Sequence, residues 1–251
     1  MGTDSRTICS PHSVNSICVA TYNGERFIEQ QLRSILSQIA SDDELILSDD
    51  GSTDNTLKIV NSIGDNRIRV RHSKAHYFRD NFIEAMREAK GDIIFLSDQD
   101  DVWLDGKYER CIRELQKVDL VCTNSQMTDA ELNIIEPDFF SIYHSGPGII
   151  KNAMNNTYYG SCMAFRRTLL NKALPMPKTH EIGHDIWLGL VAEMTGKVLF
   201  IDTPYLLYRR HNASSTRTTS LWHRSNRPLW RKIWSRLVVL YYVSKFKIYA
   251  R

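Results

Sequence analysis

The sequence predicts an α/β protein with a doubly wound, mostly parallel central sheet flanked by helices. Short apolar strands alternate with segments of helical periodicity through the first hundred residues, which is typical of such sheets. Acidic clusters also follow two of the predicted strands, and open α/β sheets bind their ligands at the carboxyl ends of strands. A chain of 251 residues is long enough for one such domain with an appendage.

The first half of the chain has the most regular pattern. Strands are predicted at 17–21, 44–48, 67–71 and 93–97, with a helix after each of the first three. The second half is less regular. It contains predicted helices at 105–117, 167–174 and 184–195, strands at 119–124, 160–165, 197–202 and 205–209, and a loop-rich stretch at 125–158.

Composition and charge set limits on the class of protein. The five cysteines are scattered and form no CxxC pair, which favours reduced thiols over disulfides or a zinc site. No apolar core region of a signal peptide opens the chain, so we expect a cytoplasmic protein. The net charge is +3. Residues 203–251 contain eleven Lys/Arg and no Asp or Glu, so residues 1–202 have a net charge of 3 − 11 = −8 and the end of the chain is strongly basic.

The strongest chemical signal is the pair Asp98 and Asp100. Side chains two residues apart on a strand point the same way, so both carboxylates can hold a hard divalent cation that bridges a diphosphate. The alternative is a polar turn that caps the next helix. Asp50, after another predicted strand, can accept hydrogen bonds from a base or a ribose, or belong to an Asp-Gly turn.

Two later residues complete the set of candidates. Asp185 opens a predicted helix, where it can cap the helix or act as a general base for an acceptor hydroxyl. His211 follows the last predicted strand of the domain and can complete the coordination of a metal, although a lone histidine is more often structural.

The order of these segments resembles family 2 glycosyltransferases, whose metal-dependent, nucleotide-sugar-binding fold is called GT-A. The resemblance covers about residues 16–216 and rests on five ordered motifs, which are Val19-Ala20-Thr21-Tyr22-Asn23-Gly24, Asp49-Asp50-Gly51-Ser52-Thr53-Asp54, Phe95-Leu96-Ser97-Asp98-Gln99-Asp100-Asp101-Val102-Trp103, His184-Asp185-Ile186-Trp187-Leu188 and Tyr208-Arg209-Arg210-His211. The Asp-Gln-Asp-Asp-x-Trp variant is most similar to rhamnosyl- and galactosyltransferase-like members that build bacterial surface polysaccharides.

The resemblance implies a role for each matched residue. Ala20 and Tyr22 would line the base pocket, and Asp50 would bind uracil or thymine. Further donor contacts would come from Arg79, Asp98 and Gln99, with Arg79 at the diphosphate. Asp100 and His211 would bind Mn²⁺ or Mg²⁺, and Asp185 would be the catalytic base, although His184 stands where many relatives have Glu.

The implied reaction is transfer of a sugar from a UDP- or dTDP-sugar to a hydroxyl of a lipid-linked glycan. One base and one leaving-group metal need no covalent intermediate, so the anomeric carbon should invert. Two alternatives stay open. A nucleotidyltransferase would normally have a Gly-rich phosphate loop near its N-terminus, and a non-catalytic glycan-binding relative would have no need of Asp100, Asp185 and His211 together.

Three regions are predicted, namely a disordered tail at 1–15, the GT-A catalytic domain at 16–216 and a basic, aromatic, helical extension at 217–251. The extension has an apolar run of seven residues, far below the roughly 20 that span a bilayer. Aromatic residues beside many cations suit the surface of an anionic leaflet, so we expect a peripheral protein on the inner face of the cytoplasmic membrane. The alternatives are packing on the catalytic domain or a second subunit. No nucleic-acid motif accompanies the basic stretch.

Overall fold

The computed structural model describes residues 14–211 and 228–249 and confirms the α/β fold class. Nine strands of the described residues form one sheet in the order β3-β2-β1-β4-β8-β6-β9-β5, and β7 pairs with β6. The strands are β1 (Asn15–Thr21), β2 (Glu44–Asp49), β3 (Ile68–His72), β4 (Ile93–Asp98), β5 (Val102–Trp103), β6 (Leu120–Thr128), β7 (Ile134–Glu136), β8 (Met163–Arg166) and β9 (Val198–Arg209).

The first four strands are parallel, as predicted, and their register brings the motif residues together. β1 lies between β2 and β4, and all seven of its residues are buried because helices cover both faces of the sheet. Ala20 is paired with Asp98 of β4, and Thr21 is paired with Asp49 of β2. The carboxyl ends of the three strands therefore meet at one edge of the sheet.

Nine α-helices in the described residues surround the sheet. They are α1 (Ile28–Leu36), α2 (Thr56–Ile63), α3 (Phe78–Glu88), α4 (Lys107–Glu114), α5 (Phe139–Tyr143), α6 (Ile149–Met154), α7 (Arg167–Ala173), α8 (His184–Thr195) and α9 (Leu229–Tyr249). α5 and α6 fall in the stretch for which we expected mainly loop. Both are short, and helices of five or six residues carry too few turns for a clear apolar periodicity.

The second half of the sheet differs from the sequence expectation in two places. Gly160–Cys162 is a 3₁₀ turn, so the predicted strand at 160–165 becomes β8 at Met163–Arg166, which runs antiparallel between β4 and β6. The two strands predicted at 197–202 and 205–209 are one strand, β9. Its register against β6 shifts where Asn124 is paired with Pro204, which has no N–H to donate, and the strand then continues.

Most of the predicted N-terminal tail and the first part of the predicted extension, residues 212–227, lie outside the described residues. Asn15, placed at the end of the tail, is the first residue of β1. The predicted helical extension is confirmed by α9. Across the described part of the chain, no helix combines the length and the apolar composition that crossing a bilayer requires.

Candidate active site

A cleft of about 450 Å³ opens at the carboxyl ends of the parallel strands. Six of the predicted site residues line it, which are Ala20, Tyr22, Asp50, Asp98, Gln99 and Asp100. The other lining residues are Thr21, His76, Phe78, Asn81, Tyr208 and Arg209. Residues from five separate segments of the chain therefore converge on one concave surface, which is the usual form of a small-molecule site.

One wall of the cleft is held in place by Gln99. Its Oε1 accepts hydrogen bonds from Thr21 Oγ1 at 2.6 Å and from Tyr22 N at 2.9 Å, and its Nε2 donates to Tyr22 O at 3.1 Å. Gly24 makes room for this arrangement, because a Cβ there would lie 2.4 Å from Gln99 Oε1. The backbone of Tyr22 is thus fixed while its ring stays 56% exposed at the cleft.

The two acidic residues after β2 have different surroundings. Asp49 is buried and accepts hydrogen bonds from Gly51 N at 3.2 Å and Ser52 N at 3.0 Å, which shapes the turn. Asp50 lines the cleft, and its Oδ1 accepts a hydrogen bond from His76 N at 3.0 Å. A carboxylate in this position can accept a further hydrogen bond from a ligand such as a nucleobase.

A cluster of three carboxylates lies at the end of β4. Asp98, Asp100 and Asp101 each place an oxygen within 4.8 Å of the others. The pair Asp98 and Asp100 is the one that sequence spacing predicts. Asp101 is fully buried and joins the cluster, with its Oδ1 accepting a hydrogen bond from Arg209 N at 3.0 Å.

The donor set of this cluster fits a hard divalent cation. Asp98 Oδ1 and Asp101 Oδ2 are buried and have no hydrogen-bond partner within the described residues. Burial, together with the nearby charge of Asp100, raises the pKa of both carboxyls above the usual range. A cation would satisfy these oxygens and offset the repulsion, since carboxylate oxygen is the ligand that Mg²⁺ and Mn²⁺ prefer.

His211 is brought to this cluster from the end of β9. Its Nε2 lies 2.8 Å from Asp100 Oδ2, and its ring contacts Phe27 with 4.7 Å between the ring centroids. Two residues that are 111 positions apart in sequence therefore meet at the point where the sequence predicts a metal site. Carboxylate oxygen and neutral imidazole nitrogen are both metal ligands, so the two side chains can serve one ion.

Asp185 is the second residue of α8, after His184, and it is not among the residues that line the cleft. Its Oδ1 accepts a hydrogen bond from Ile186 N at 2.7 Å, and burial raises its pKa to about 6. The charge of Asp185 is also one of the causes that raise the pKa of Asp98, so the two carboxyls are close enough to interact.

The neighbouring His184 is buried, and burial lowers its pKa to about 3, so it is neutral at physiological pH. Its ring stacks on Phe82 at 4.5 Å and contacts Phe78, a residue of the cleft wall, at 5.7 Å. His184 therefore packs the start of α8 against the cleft without adding charge. A glutamate here would bury a carboxylate beside that of Asp185.

The family model for glycosyl transferase family 2 matches residues 16–174, which is more than half of the chain and includes the β1 turn, Asp50 and the carboxylate cluster. The chain belongs to glycosyltransferase family 2. This confirms the resemblance inferred from the ordered motifs and identifies the protein as a glycosyltransferase.

Related glycosyltransferases match far beyond the motifs. The Escherichia coli UDP-Glc:alpha-D-GlcNAc-diphosphoundecaprenol beta-1,3-glucosyltransferase WfaP is 28% identical over 91% of this chain and 92% of its own length. The dTDP-rhamnosyl transferase RfbG of Shigella flexneri is 29% identical over 77% of this chain and 71% of its own.

Among solved structures, residues 1–349 of S. aureus TarS in complex with UDP-GlcNAc share the fold, with a TM-score of 0.67 and 17% identity. The match covers 90% of this chain and 66% of that one. The chain likewise spans 66% of a Nostoc glycosyltransferase that it matches. The fold of this glycosyltransferase therefore matches that of a structure bound to a nucleotide-sugar, over most of the present chain.

One predicted donor contact is not brought to the cleft of this glycosyltransferase. Arg79 donates from Nη1 to Asp80 Oδ1 at 2.8 Å and from Nη2 to Pro177 O at 2.6 Å, and it lines a separate shallow groove. The side chain is used to join the start of α3 to the segment before α8. Sequence position alone could not reveal this, because the residue that captures Arg79 lies 98 positions away.

Two basic residues that sequence reasoning did not assign hold the glycosyltransferase site together. Arg209 donates to Asp100 O at 2.7 Å and to Gln30 Oε1 at 2.7 Å, and its guanidinium lies over the Phe27 ring at 4.5 Å. Lys107 is fully buried and donates from Nζ to Ser161 O at 2.6 Å. Arg209 stands in the motif that ends in His211, but nothing in the sequence indicates its contact with Asp100, and Lys107 carries no signal because its burial is a tertiary property.

Proposed function

We propose that this glycosyltransferase moves a sugar from a UDP- or dTDP-sugar to a hydroxyl of a lipid-linked glycan, with inversion at the anomeric carbon. The observation that carries the proposal is the convergence of Asp50 and the carboxylate cluster on one cleft, with His211 in contact with Asp100 and Asp185 close by. The relatives WfaP and RfbG, whose names specify UDP-glucose and a dTDP-rhamnosyl donor group, support this class of donor.

The donor lies with its base between Ala20, Tyr22 and Asp50. Asp50 accepts a hydrogen bond from the N–H of uracil or thymine, and the exposed ring of Tyr22 covers the base. Gln99 contributes indirectly, since its amide holds the backbone of Tyr22 in place. The diphosphate then reaches Asp98 and Asp100, on the strand that neighbours β1.

Asp100 and His211, with Asp98 beside them, are the residues that would hold Mn²⁺ or Mg²⁺. When bound, the ion neutralises the charge that develops on the departing nucleoside diphosphate. Arg209 keeps the backbone of Asp100 in position, because its guanidinium bonds the Asp100 carbonyl while stacking on Phe27. Arg209 thereby fixes the position of Asp100 and so the place at which the diphosphate leaving group is held.

Asp185 removes the proton from the acceptor hydroxyl. Its pKa of about 6 leaves it ionised at neutral pH and makes it a stronger base than an ordinary aspartate. Attack by the acceptor oxygen on the face opposite the nucleotide breaks the anomeric C–O bond, and the electron pair leaves with the diphosphate. A single displacement of this kind inverts the anomeric centre.

One relative supports a lipid-linked acceptor, and the basic extension supports the membrane surface as the place of reaction. WfaP, whose name specifies a diphosphoundecaprenol-linked acceptor, matches this chain over nearly its whole length. A basic, aromatic segment at 217–251 suits the inner face of the cytoplasmic membrane, where such an acceptor would be met. The protein then works as a peripheral enzyme of cell-surface polysaccharide synthesis.

A donor screen with two variants tests this function. Thermal stabilisation and sugar release are measured with UDP-glucose, UDP-GlcNAc, dTDP-rhamnose and GDP-mannose, with Mn²⁺, Mg²⁺ or excess chelator. A ligand at a hundred times its Kd stabilises by about 2.7 kcal/mol, which a melting curve resolves. We expect a uridine or thymidine donor to stabilise the protein only with metal, and Asp100→Asn to abolish the effect while Asp185→Asn retains it. Equal stabilisation in chelator, or by GDP-mannose alone, would contradict the assignment.

A further inference from the structure

Helix α9 has two apolar faces on opposite sides. One face is packed on the catalytic domain, where Val239 and Val243 are 4% and 5% exposed. The other carries Trp230, Trp234, Leu237 and Tyr241, which are 55–64% exposed. These four follow the spacing i, i+4, i+7 and i+11, so they form one continuous stripe along the helix. Packing on the domain therefore leaves a second apolar surface in contact with solvent.

The packed face fixes α9 firmly to the domain. Trp187 of α8 makes edge-on ring contacts with Tyr242 at 6.4 Å and Phe246 at 5.7 Å. Ser235 donates a hydrogen bond to Glu181, and Arg236 Nε donates to Met154 O at 2.9 Å. α9 is thus joined to both α6 and α8. Its exposed stripe has a defined orientation relative to the catalytic domain.

Helix α6 adds to the exposed apolar surface next to α9. Ile150 is 75% exposed and Met154 is 47% exposed, and a spacing of four residues places them on one face. Met154 is the residue whose carbonyl is bonded by Arg236. We call the exposed side chains of Ile150, Met154, Trp230, Ile233, Trp234, Leu237 and Tyr241 the docking face.

The charges of α9 indicate what covers the docking face. The helix has five Lys/Arg, at 231, 232, 236, 245 and 247, and no Asp or Glu. On a helical projection Arg231 and Lys245 lie on one side of the apolar stripe and Lys247 lies on the other, whereas Lys232 and Arg236 lie toward the packed face. Long basic side chains beside Trp and Tyr are the arrangement that places a helix in the headgroup region of an anionic leaflet. A second copy fits poorly, because a two-fold contact would bring identical cationic faces together.

We propose that the docking face binds an anionic lipid bilayer directly, with α6 and α9 acting as one surface, so that the catalytic domain itself lies against the membrane. This inference rests on the proposed function in one respect, because a lipid-linked acceptor is the reason for the enzyme to bind a membrane. It differs from a tail that tethers the enzyme, because α6 belongs to the catalytic domain. It also places α9 between the membrane and α8, the helix whose second residue is Asp185.

Vesicle co-sedimentation of the full chain tests the proposal. Vesicles of phosphatidylcholine alone and with one-third phosphatidylglycerol are compared, with the wild type, Ile150→Glu and the double variant Trp230→Glu/Trp234→Glu. The matched control is Ile134→Glu, since Ile134 of β7 is 55% exposed but lies on another part of the surface. Melting temperature and nucleotide-sugar binding in solution confirm that each variant is folded and keeps its donor site.

We expect the anionic vesicles to bind the wild type at least tenfold more strongly than the neutral ones. The double variant should bind anionic vesicles at least tenfold more weakly than the wild type, and Ile150→Glu at least threefold more weakly. Ile134→Glu should bind them as strongly as the wild type. Unchanged vesicle binding by Ile150→Glu would contradict the proposal that α6 and α9 form one surface. Equal binding of the wild type to both kinds of vesicle would contradict the preference for an anionic leaflet. A stable dimer by light scattering that the double variant dissociates would identify a second copy as the occupant. Loss of donor binding in the wild type would count against the proposed function and leave the docking result unaffected.

Discussion

Replacing Asp185 with asparagine should make the protein more stable and much less active. Burial raises the pKa of this carboxyl from 3.8 to about 6, which means that the fold disfavours the charged form. A shift of about two units corresponds to about 3 kcal/mol, and because the side chain keeps some contact with water we expect a gain of about 1–3 kcal/mol from the neutral amide. The amide oxygen can still accept the hydrogen bond from Ile186 N.

The gain in stability must depend on pH in a definite direction. A carboxyl with a raised pKa in the folded state destabilises the protein only where it is ionised. The difference between Asp185→Asn and the wild type should therefore be full above about pH 6 and disappear below about pH 4. Urea unfolding of both proteins at pH 8 and pH 4, followed by tryptophan fluorescence, measures this difference.

The activity of the same variant gives the second half of the test. A base with a pKa of about 6 is roughly one-tenth ionised at pH 5, so wild-type transfer at saturating metal should fall about tenfold between pH 7.5 and pH 5. Asp185→Asn should transfer roughly a hundredfold more slowly and lose this pH dependence. A variant that is less stable than the wild type at pH 8 would contradict the raised pKa of Asp185. A variant that keeps normal transfer, with the same loss of activity in acid, would contradict the role of Asp185 as the base.

Three further changes test the donor side. Asp100→Asn should reduce transfer roughly a hundredfold and remove the metal dependence of donor binding, as measured by calorimetry with and without Mn²⁺. If donor binding still depends on metal in this variant, the metal is not held by Asp100. Gly24→Ala should weaken nucleotide binding about tenfold, because the new Cβ would lie 2.4 Å from Gln99 Oε1 and break the hydrogen bonds that hold the backbone of Tyr22. Unchanged nucleotide affinity would show that Gln99 does not position Tyr22 for binding. Arg79→Ala should cost about 1–2 kcal/mol of stability and leave nucleotide affinity unchanged, and a large affinity loss would restore its predicted diphosphate role.

The predictable part of the fold and site comes from local signals. The first four strands alternate with helices and end in polar residues, so the position of Asp50 and Asp98 at one sheet edge follows from topology alone. The ordered motifs then supplied the family. His211 could be placed near the carboxylates only through that resemblance, since nothing in its own neighbourhood indicates a contact with Asp100.

The unpredicted part depends on contacts between distant segments. Arg79 is held by the carbonyl of Pro177, which lies after the whole of the β4 to α7 region. Lys107 can be buried because Ser161 O accepts its hydrogen bond inside the protein. The merging of two predicted strands into β9 depends on pairing with β6 across Pro204. Propensity and periodicity describe neighbours within a few residues, so interactions of this kind lie outside their reach.

Helix α9 of the extension combines packing on the catalytic domain with an exposed apolar face. Membrane contact and packing on the catalytic domain are alternatives only for a helix with a single apolar face. The helix instead buries Val239 and Val243 and exposes Trp230 and Trp234. Because its buried face is fixed to Trp187, two residues after Asp185, any surface that binds the exposed face also fixes the orientation of α8. If the proposed docking and the proposed base role of Asp185 both hold, one packed pair of helices would set the membrane-facing side of the enzyme and the side that receives the acceptor hydroxyl. The amphipathic extension would then position the reaction as well as attach the enzyme.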